Sequence, residues 1–422
     1  MKISKQNIGW QGWSRRRAGL TAALLAMSGL GMLAMTTSIA RAQEVSLRYT
    51  LDPGGPPVFT SGQELLASDK PIEALKLPPL HSKKPLYLTA KLGDGADTAF
   101  TFVLDESEPG AGYDLLYADG SHTRDLTDAK PYRLTRWRFS KGFKPVRLLI
   151  QVGGARTLYH AAIVAEERPT STDYRLQSWA YYSGEARLGD KSYPVALVDS
   201  NGNGLFNDLS RGLGPDNAGD VLLMDVNGDG KFDQEQFAGP EFRYCGRRMQ
   251  VDGRYYDLEI QPDGSCFRVA PTTAKLATLH SDSNQIALML VSKDGMLAVR
   301  GENGEAQVPV GDYRIVGWQV EQRDPGGNLW VAQGRQNRLG GEPPFLSVKA
   351  DTSLPRLGSP LRAKLDVQPS GGREFDCQLN FTGASGEVIG QVTRNGQQMP
   401  EPHVRILNAG GKEIANLPFH YG

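Results

Sequence analysis

Two short stretches hold side chains whose types and spacing suit a hard cation. Asp225-Val226-Asn227-Gly228-Asp229-Gly230-Lys231-Phe232-Asp233 reads D-x-N-x-D-G-x-x-D. As such a loop curls, side-chain oxygens at its first, third and fifth positions (Asp225, Asn227 and Asp229) converge on one centre. Gly230 permits the sharp turn that follows, the Lys231 carbonyl turns inward, and Asp233 closes the shell. Oxygen donors on a flexible loop select Ca2+ over softer metals. Asp199-Ser200-Asn201-Gly202-Asn203-Gly204-Leu205-Phe206-Asn207-Asp208 repeats the scheme with fewer charges. Asp199, Asn201 and Asn203 take the same three positions, Leu205 supplies the carbonyl, and Asn207 or Asp208 closes the loop. Neither is an EF-hand. The twelfth position is Ser210 in one and Gln236 in the other, where a bidentate Glu is needed. The bland alternative is a pair of Asx-rich turns holding no ion. Two such loops, each fed by an apolar strand, favour at least one bound calcium, at the Asp225 loop first.

Other chemistry is thinly supported. His81, His122, His160, His280, His403 and His420 show no H-x-x-x-H or H-E-x-x-H spacing, which argues against a zinc protease. No G-x-S-x-G elbow or phosphate-binding glycine loop occurs. Asp105 with Glu106 offers paired carboxylates for a glycosidase, and Trp137, Trp179, Trp318 and Trp330 could stack on sugars. Carboxylates this common usually face water, and aromatics on alternating strands are usually core. Three cysteines include no C-x-x-C. Cys245 and Cys266 flank a predicted hairpin, so a disulfide between them is expected in an oxidising compartment, against the alternative of three buried thiols.

The elements that must position these loops are strands. Short alternating runs such as Leu86–Leu92, Arg147–Val152 and Ile286–Val291 are broken often by 49 Gly and 26 Pro, the rhythm of an all-β chain. Gly253 and Gly264 fall at tight turns. From Thr50 to Leu80 the chain is Pro-rich, and Gln63 to Leu66 and Ile72 to Leu75 read as short helical turns. An internal duplication stands out. Ala90-Lys91-Leu92-Gly93-Asp94 matches Ala186-Arg187-Leu188-Gly189-Asp190. Each is followed by an apolar strand ending in Asp105 or Asp199. A second strand then runs from Asp114 to Asp119 in one copy and from Asp220 to Asp225 in the other. The first copy's own loop, Asp119 to Asp125, has lost the acid at position five and gained Arg124, so it reads as vestigial.

The expected organisation is a signal peptide (1–42), β module 1 with the degenerate loop (43–170), β module 2 with both calcium-type loops (171–275) and a C-terminal region (280–422). Val308 to Ile315 is a turn-into-strand pattern common in immunoglobulin-like β-sandwiches, Gly340 to Pro344 is a loop, and Val404 to Lys412 is a strand with a turn. At the start, Arg15-Arg16-Arg17 precedes an uncharged apolar run from Ala18 to Ile39, and Ala40-Arg41-Ala42 has the small residues that signal peptidase reads. Export to the periplasm or beyond is expected, with the mature chain beginning near Gln43. The Sec route is preferred, since the twin-arginine pattern is only partial. An uncleaved N-terminal anchor is the alternative. The first 42 residues hold six basic residues and no acid; without them 41 basic residues face 47 acidic ones, near −6. That balance argues against nucleic acid as a partner.

The two loops resemble those of thrombospondin type 3 repeats, dockerins and the FG-GAP repeats of integrin-type propellers, over some ten residues each. Taken whole, Val195 to Asp208, Leu222 to Asp233 and Val251 to Gly264 resemble phrases shared by exported proteins of environmental, planctomycete-like bacteria. That resemblance implies export and β structure and carries no activity with it. The preferred expectation is an exported, calcium-stabilised binding or structural protein of the cell envelope without catalysis. Its partner would be an envelope or extracellular protein or polysaccharide. The alternative is an extracytoplasmic hydrolase acting on glycans, with structural calcium.

Overall fold

The structure, a computed structural model, describes residues 42–422 except 138–139, 215–216, 218, 235–238, 336–342, 359, 372–373 and 420–422. The expected signal segment up to Arg41, the twelfth loop position Gln236, most of the Gly340 loop and His420 therefore lie outside the described residues. Within them the chain is all-β.

Nine strands form the first sheet, in spatial order Tyr132–Arg133, Leu115–Ala118, Ala99–Asp105, Leu86–Lys91, Gln63–Ser68, Thr172–Ser178, Ala155–Glu167, Ser140–Val152 and Thr135–Trp137. Every pairing is antiparallel. The sheet curls into a nearly closed barrel. Across the gap, Arg147 N donates to Tyr132 Oη at 3.1 Å and Leu149 N to Gly120 O at 2.7 Å. Alternation explains the curl. Phe100, Phe102 and Leu104 fill the interior with Leu148, Ile150 and Tyr159. Val103 and Tyr117 face outward, beneath Ile72, Leu75, Leu77 and Leu80 of the Pro-rich stretch. Gln63–Ser68 is thus a strand, not the expected helical turn. Its ladder with Leu65↔Tyr174 on one side and Leu66↔Thr89 on the other overrides its local preference.

The second group follows the same spatial order. Phe242–Tyr244, Val221–Met224, Lys191–Val198 and Tyr181–Leu188 form a meander that ends on Arg48–Thr50. The chain immediately before, Gln43–Ser46, pairs with Cys266–Pro271, followed by Arg254–Ile260 and Arg248–Val251. An N-terminal strand therefore sits between two meanders in each group: 63–68 in the first, 43–50 in the second. The sheets cross the expected 170/171 boundary in both directions. Strand 172–178 belongs to the first sheet, and strands 43–50 belong with the second meander. Val58 covers the outer face of the second group, over Ala196, Val198, Val221 and Leu223. The interiors of the two groups merge into one apolar cluster.

Residues beyond 275 form a ten-stranded sheet around Leu279, Leu290, Ile315 and Trp318. Its long strand Gly311–Arg323 pairs with Phe345–Val348 through its first half and with Leu329–Arg335 through its second. Hairpins Arg362–Gly371/Glu374–Thr382 and His403–Leu407/Glu413–Pro418 stand apart from it as two-stranded sheets. The expected Cys245–Cys266 disulfide is absent, and all three thiols are free. Cys245 leads into strand 248–251 and Cys266 opens strand 266–271, with strand 254–260 between those two. Two interstrand spacings, roughly 9–10 Å, exceed the ~7 Å Cα reach of a disulfide.

Candidate metal centre

Each loop leaves the end of a buried strand. Lys191–Val198 delivers Asp199, and Val221–Met224 delivers Asp225; both carboxylates are buried. From there the two loops make the same hydrogen bonds. Asp199 Oδ1 accepts from Gly202 N (2.6 Å) and its Oδ2 from Gly204 N (2.7 Å). Asp225 does the same with Gly228 N (2.6 Å) and Gly230 N (2.9 Å). At the third position Asn201 Oδ1 accepts from Asn203 N (3.1 Å) and Asn227 Oδ1 from Asp229 N (2.8 Å). At the fifth, Asn203 Oδ1 accepts from Leu205 N (2.8 Å) and Asp229 Oδ1 from Lys231 N (2.9 Å). Gly202, Gly204, Gly228 and Gly230 all take positive φ, which is why glycine recurs there.

The loops differ in how they close. In the first, Asn201 Nδ2 (3.1 Å) and Asn203 Nδ2 (2.7 Å) both donate to Asp208 Oδ2, so amide protons occupy the middle of the curl. This loop is also packed away. Tyr159 Oη, inside the first barrel, donates to Asp199 Oδ2 at 2.8 Å, and Gly93 N donates to Asn203 O at 2.8 Å. Asp220 accepts from Ser200 N (3.1 Å) and Asp208 N (2.7 Å), pinning both ends. Burial pushes Asp199 up to about 6 despite its three donors, and burial with the nearby Asp199 and Asp208 charges pushes Asp220 well above the usual carboxylate range.

In the second loop Asp229 replaces the amide, so no such cross-link forms. Asn227, Asp229, Lys231 and Asp233 are exposed. Its closure runs through Glu241, a fully buried carboxylate that the sequence did not mark. Glu241 Oε1 accepts from Val226 N (3.0 Å) and Asn227 N (3.1 Å), and Oε2 from Asp233 N (2.9 Å). Among the described residues no three Asp, Glu, His or Cys side chains form a ready-made metal cage. The donor chemistry still fits a hard cation at the second loop. Asp225, Asn227, Asp229, the Lys231 carbonyl and Asp233 lie on one short curl, and Asn227 Oδ1 and Asp229 Oδ1 each accept a single backbone proton.

The Asp119 to Asp125 loop is held by its leading carboxylate, with Asp119 accepting from Thr123 N (2.9 Å) and Arg124 N (2.7 Å). Asp105 is buried and accepts from His81 N and Ser82 N, while Glu106 accepts from Gly110 N, so these two do not face a common cleft. Trp179 and Trp318 are core. Trp137 packs edge-on against Trp179 at 5.6 Å, with the Lys144 ammonium over both rings. Trp330 donates to Asp324 Oδ2 at 3.0 Å. No known protein family, curated protein or solved structure matches the chain, and no described helix is long and apolar enough to cross a membrane.

Proposed function

We propose that this is an exported, calcium-stabilised binding or structural protein of the cell envelope. The observation that carries the reading is the repeated loop. Two stretches 26 residues apart adopt one hydrogen-bonded curl, and the second presents Asp225, Asp229 and Asp233 with no ion-pair partner among the described residues. Three carboxylates on one short curl repel, and a divalent cation relieves that repulsion. Calcium would be held by Asp225, Asn227, Asp229, the Lys231 carbonyl and Asp233. In the first loop Asp199, Asn201, Asn203, the Leu205 carbonyl and Asp208 would serve only if both amides turned. We also read the two barrels as duplicated modules. Their strand order supports this. The strand that switches partners near Val316 supports an immunoglobulin-like sandwich at the C-terminus. A strand begins at Gln43, so cleavage after Ala42 would leave it whole.

The test is thermal unfolding of the purified protein in calcium and in chelator, with elemental analysis. A ligand bound only to the native state adds about 2.7 kcal/mol at a hundredfold excess over Kd. Wild type should melt lower in chelator, and Asp229→Ala should lose most of that response. Identical curves and no calcium by elemental analysis would reduce both loops to plain turns.

A further inference from the structure

The second group of strands does not close as the first barrel does. Its outermost strands, Phe242–Tyr244 and Arg248–Val251, end two separate sheets with no ladder between them. The gap opens on a cavity of about 450 Å3, whose far wall is the hairpin of the C-terminal region around Ala298, Glu302 and Glu305. Arg243 lines this cavity. It is 8% exposed and, among the described residues, the one lysine or arginine that is buried. Its register opposite Leu222, an interior residue, turns it into the barrel mouth.

Among the described residues Arg243 forms no ion pair, although the Glu241 and Asp252 charges act on it. Its Nη1 donates to the Glu241 backbone carbonyl at 3.3 Å. The Glu241 carboxylate is spent on the three backbone N–H groups of the metal loop. The Asp252 carboxylate, also at the cavity, is held by Lys191 Nζ (2.6 Å) and Tyr193 Oη (3.0 Å). Burial, with the Arg300 charge nearby, lowers the Arg243 pKa to about 10, still far above neutrality. A charged guanidinium this buried, with no ion pair among the described residues, suits an anion placed beside it. The cavity's other charges say which anion. Asp252, Glu302 and Glu305 outnumber Arg300 on the cavity wall, which disfavours a dianion such as phosphate and calls for hydrogen-bond donors. Cavities of roughly 300–1,000 Å3 hold small ligands, and this one is at the small end.

We propose that the cleft binds a small monocarboxylic acid bearing hydroxyl or amino donors, a sugar acid or an amino acid, with its carboxylate on Arg243. The proposal rests on the binding-protein reading above and gives that protein a ligand class, but it does not require an occupied metal loop. Isothermal titration calorimetry of the purified protein with glucuronate, L-serine, glucose and inorganic phosphate tests it. Glucuronate or L-serine should bind one to one, which also separates the two sources. Glucose should not bind, and phosphate should bind more weakly than the monocarboxylate. Arg243→Gln should weaken binding about tenfold or more. Ala298→Phe fills the cleft from the opposite wall and should abolish binding with Arg243 intact, which keeps the test sound if Arg243→Gln melts early. Failure of both monocarboxylates, binding that survives both variants, or phosphate binding tightest would each overturn the proposal. Absent binding with an intact calcium response sinks the cleft alone; a missing calcium response with binding retained sinks the metal reading alone.

Discussion

Glu241 shows how one side chain can fix a loop it does not belong to. It accepts Val226 N, Asn227 N and Asp233 N, so both ends of the second metal loop hang on one buried carboxylate. Glu241→Ala strands three backbone donors, each worth about 1–3 kcal/mol where water cannot reach. Since Asp233 N is at an exposed edge, we expect a loss of about 2–4 kcal/mol in denaturant melts and a calcium response close to that of Asp229→Ala. A variant that melts like wild type would show the clasp to be dispensable. His160 supplies a pH-dependent counterpart. Its Nδ1 lies 3.0 Å from Tyr49 Oη, and burial, with Arg147 nearby, lowers its pKa. The unfolded histidine titrates near ~6.5. A depressed folded value means that its contribution is present above that pH and lost as pH falls through the folded value. NMR titration should place the ring below ~6.5, and His160→Gln should flatten part of the stability loss between about pH 7 and 5. A ring titrating above the free value would refute this. The two loop curls themselves were legible in the sequence because their order is local. Glu241, Tyr159 and Arg243 were not, since each acts across a fold that brings distant segments together.

At the scale of elements, the N-terminal strands do more than begin the chain. Gln43–Ser46 and Arg48–Thr50 bridge the two sheets of the second barrel, with Leu47 N donating to Ser265 O at 2.7 Å between them. If export removes residues through Ala42, the strand survives whole, so Edman sequencing of the exported protein should begin at Gln43. A chain started at Leu51 exposes the edges of Tyr181–Leu188 and Cys266–Pro271 together. It should lose its cooperative melt and aggregate, as unpaired edges do. Soluble, cooperative folding of that shortened chain would count against the bridging role. Much of this level was readable: the strand rhythm, the repeated Gly–Asp turns and the hairpins at Gly253 and Gly264 all reappear as ladders. What local pattern could not show was partner choice. Gln63-Glu64-Leu65-Leu66 has the composition of a helical turn, yet it becomes a strand because two open edges flank it. Likewise, symmetrical placement about a hairpin made Cys245 and Cys266 look paired, while strand 254–260 keeps the strands that follow them apart.

For the molecule as a whole, the barrel and the second group of strands are locked through the Asp199 loop. Gly202 is placed so that a Cβ would meet Leu176 O at 2.5 Å, and one on Gly204 would meet Ile150 Cδ1 at 2.6 Å. Ser61 Oγ and Gly62 N both donate to Ser200 O at 2.9 Å, and Tyr159 reaches Asp199 from inside the first barrel. The loop from one barrel thus seals an end of the other, and the two interiors merge behind it. Units that share a core and a seal of this kind should unfold together. Calorimetry of the wild type should show residues 43–275 melting in one transition. Gly202→Ala adds a methyl group against backbone that cannot move aside, at a φ of +73° that alanine tolerates poorly. The cost should be about 2–4 kcal/mol. Because the methyl group presses on the seam and leaves each barrel's own ladders intact, the single transition should broaden or split, with the second loop's calcium response kept. If Gly202→Ala instead lowers one sharp transition and abolishes the calcium response, the first loop is a metal site before it is a seal. If it changes nothing, the two barrels meet more loosely than these contacts require.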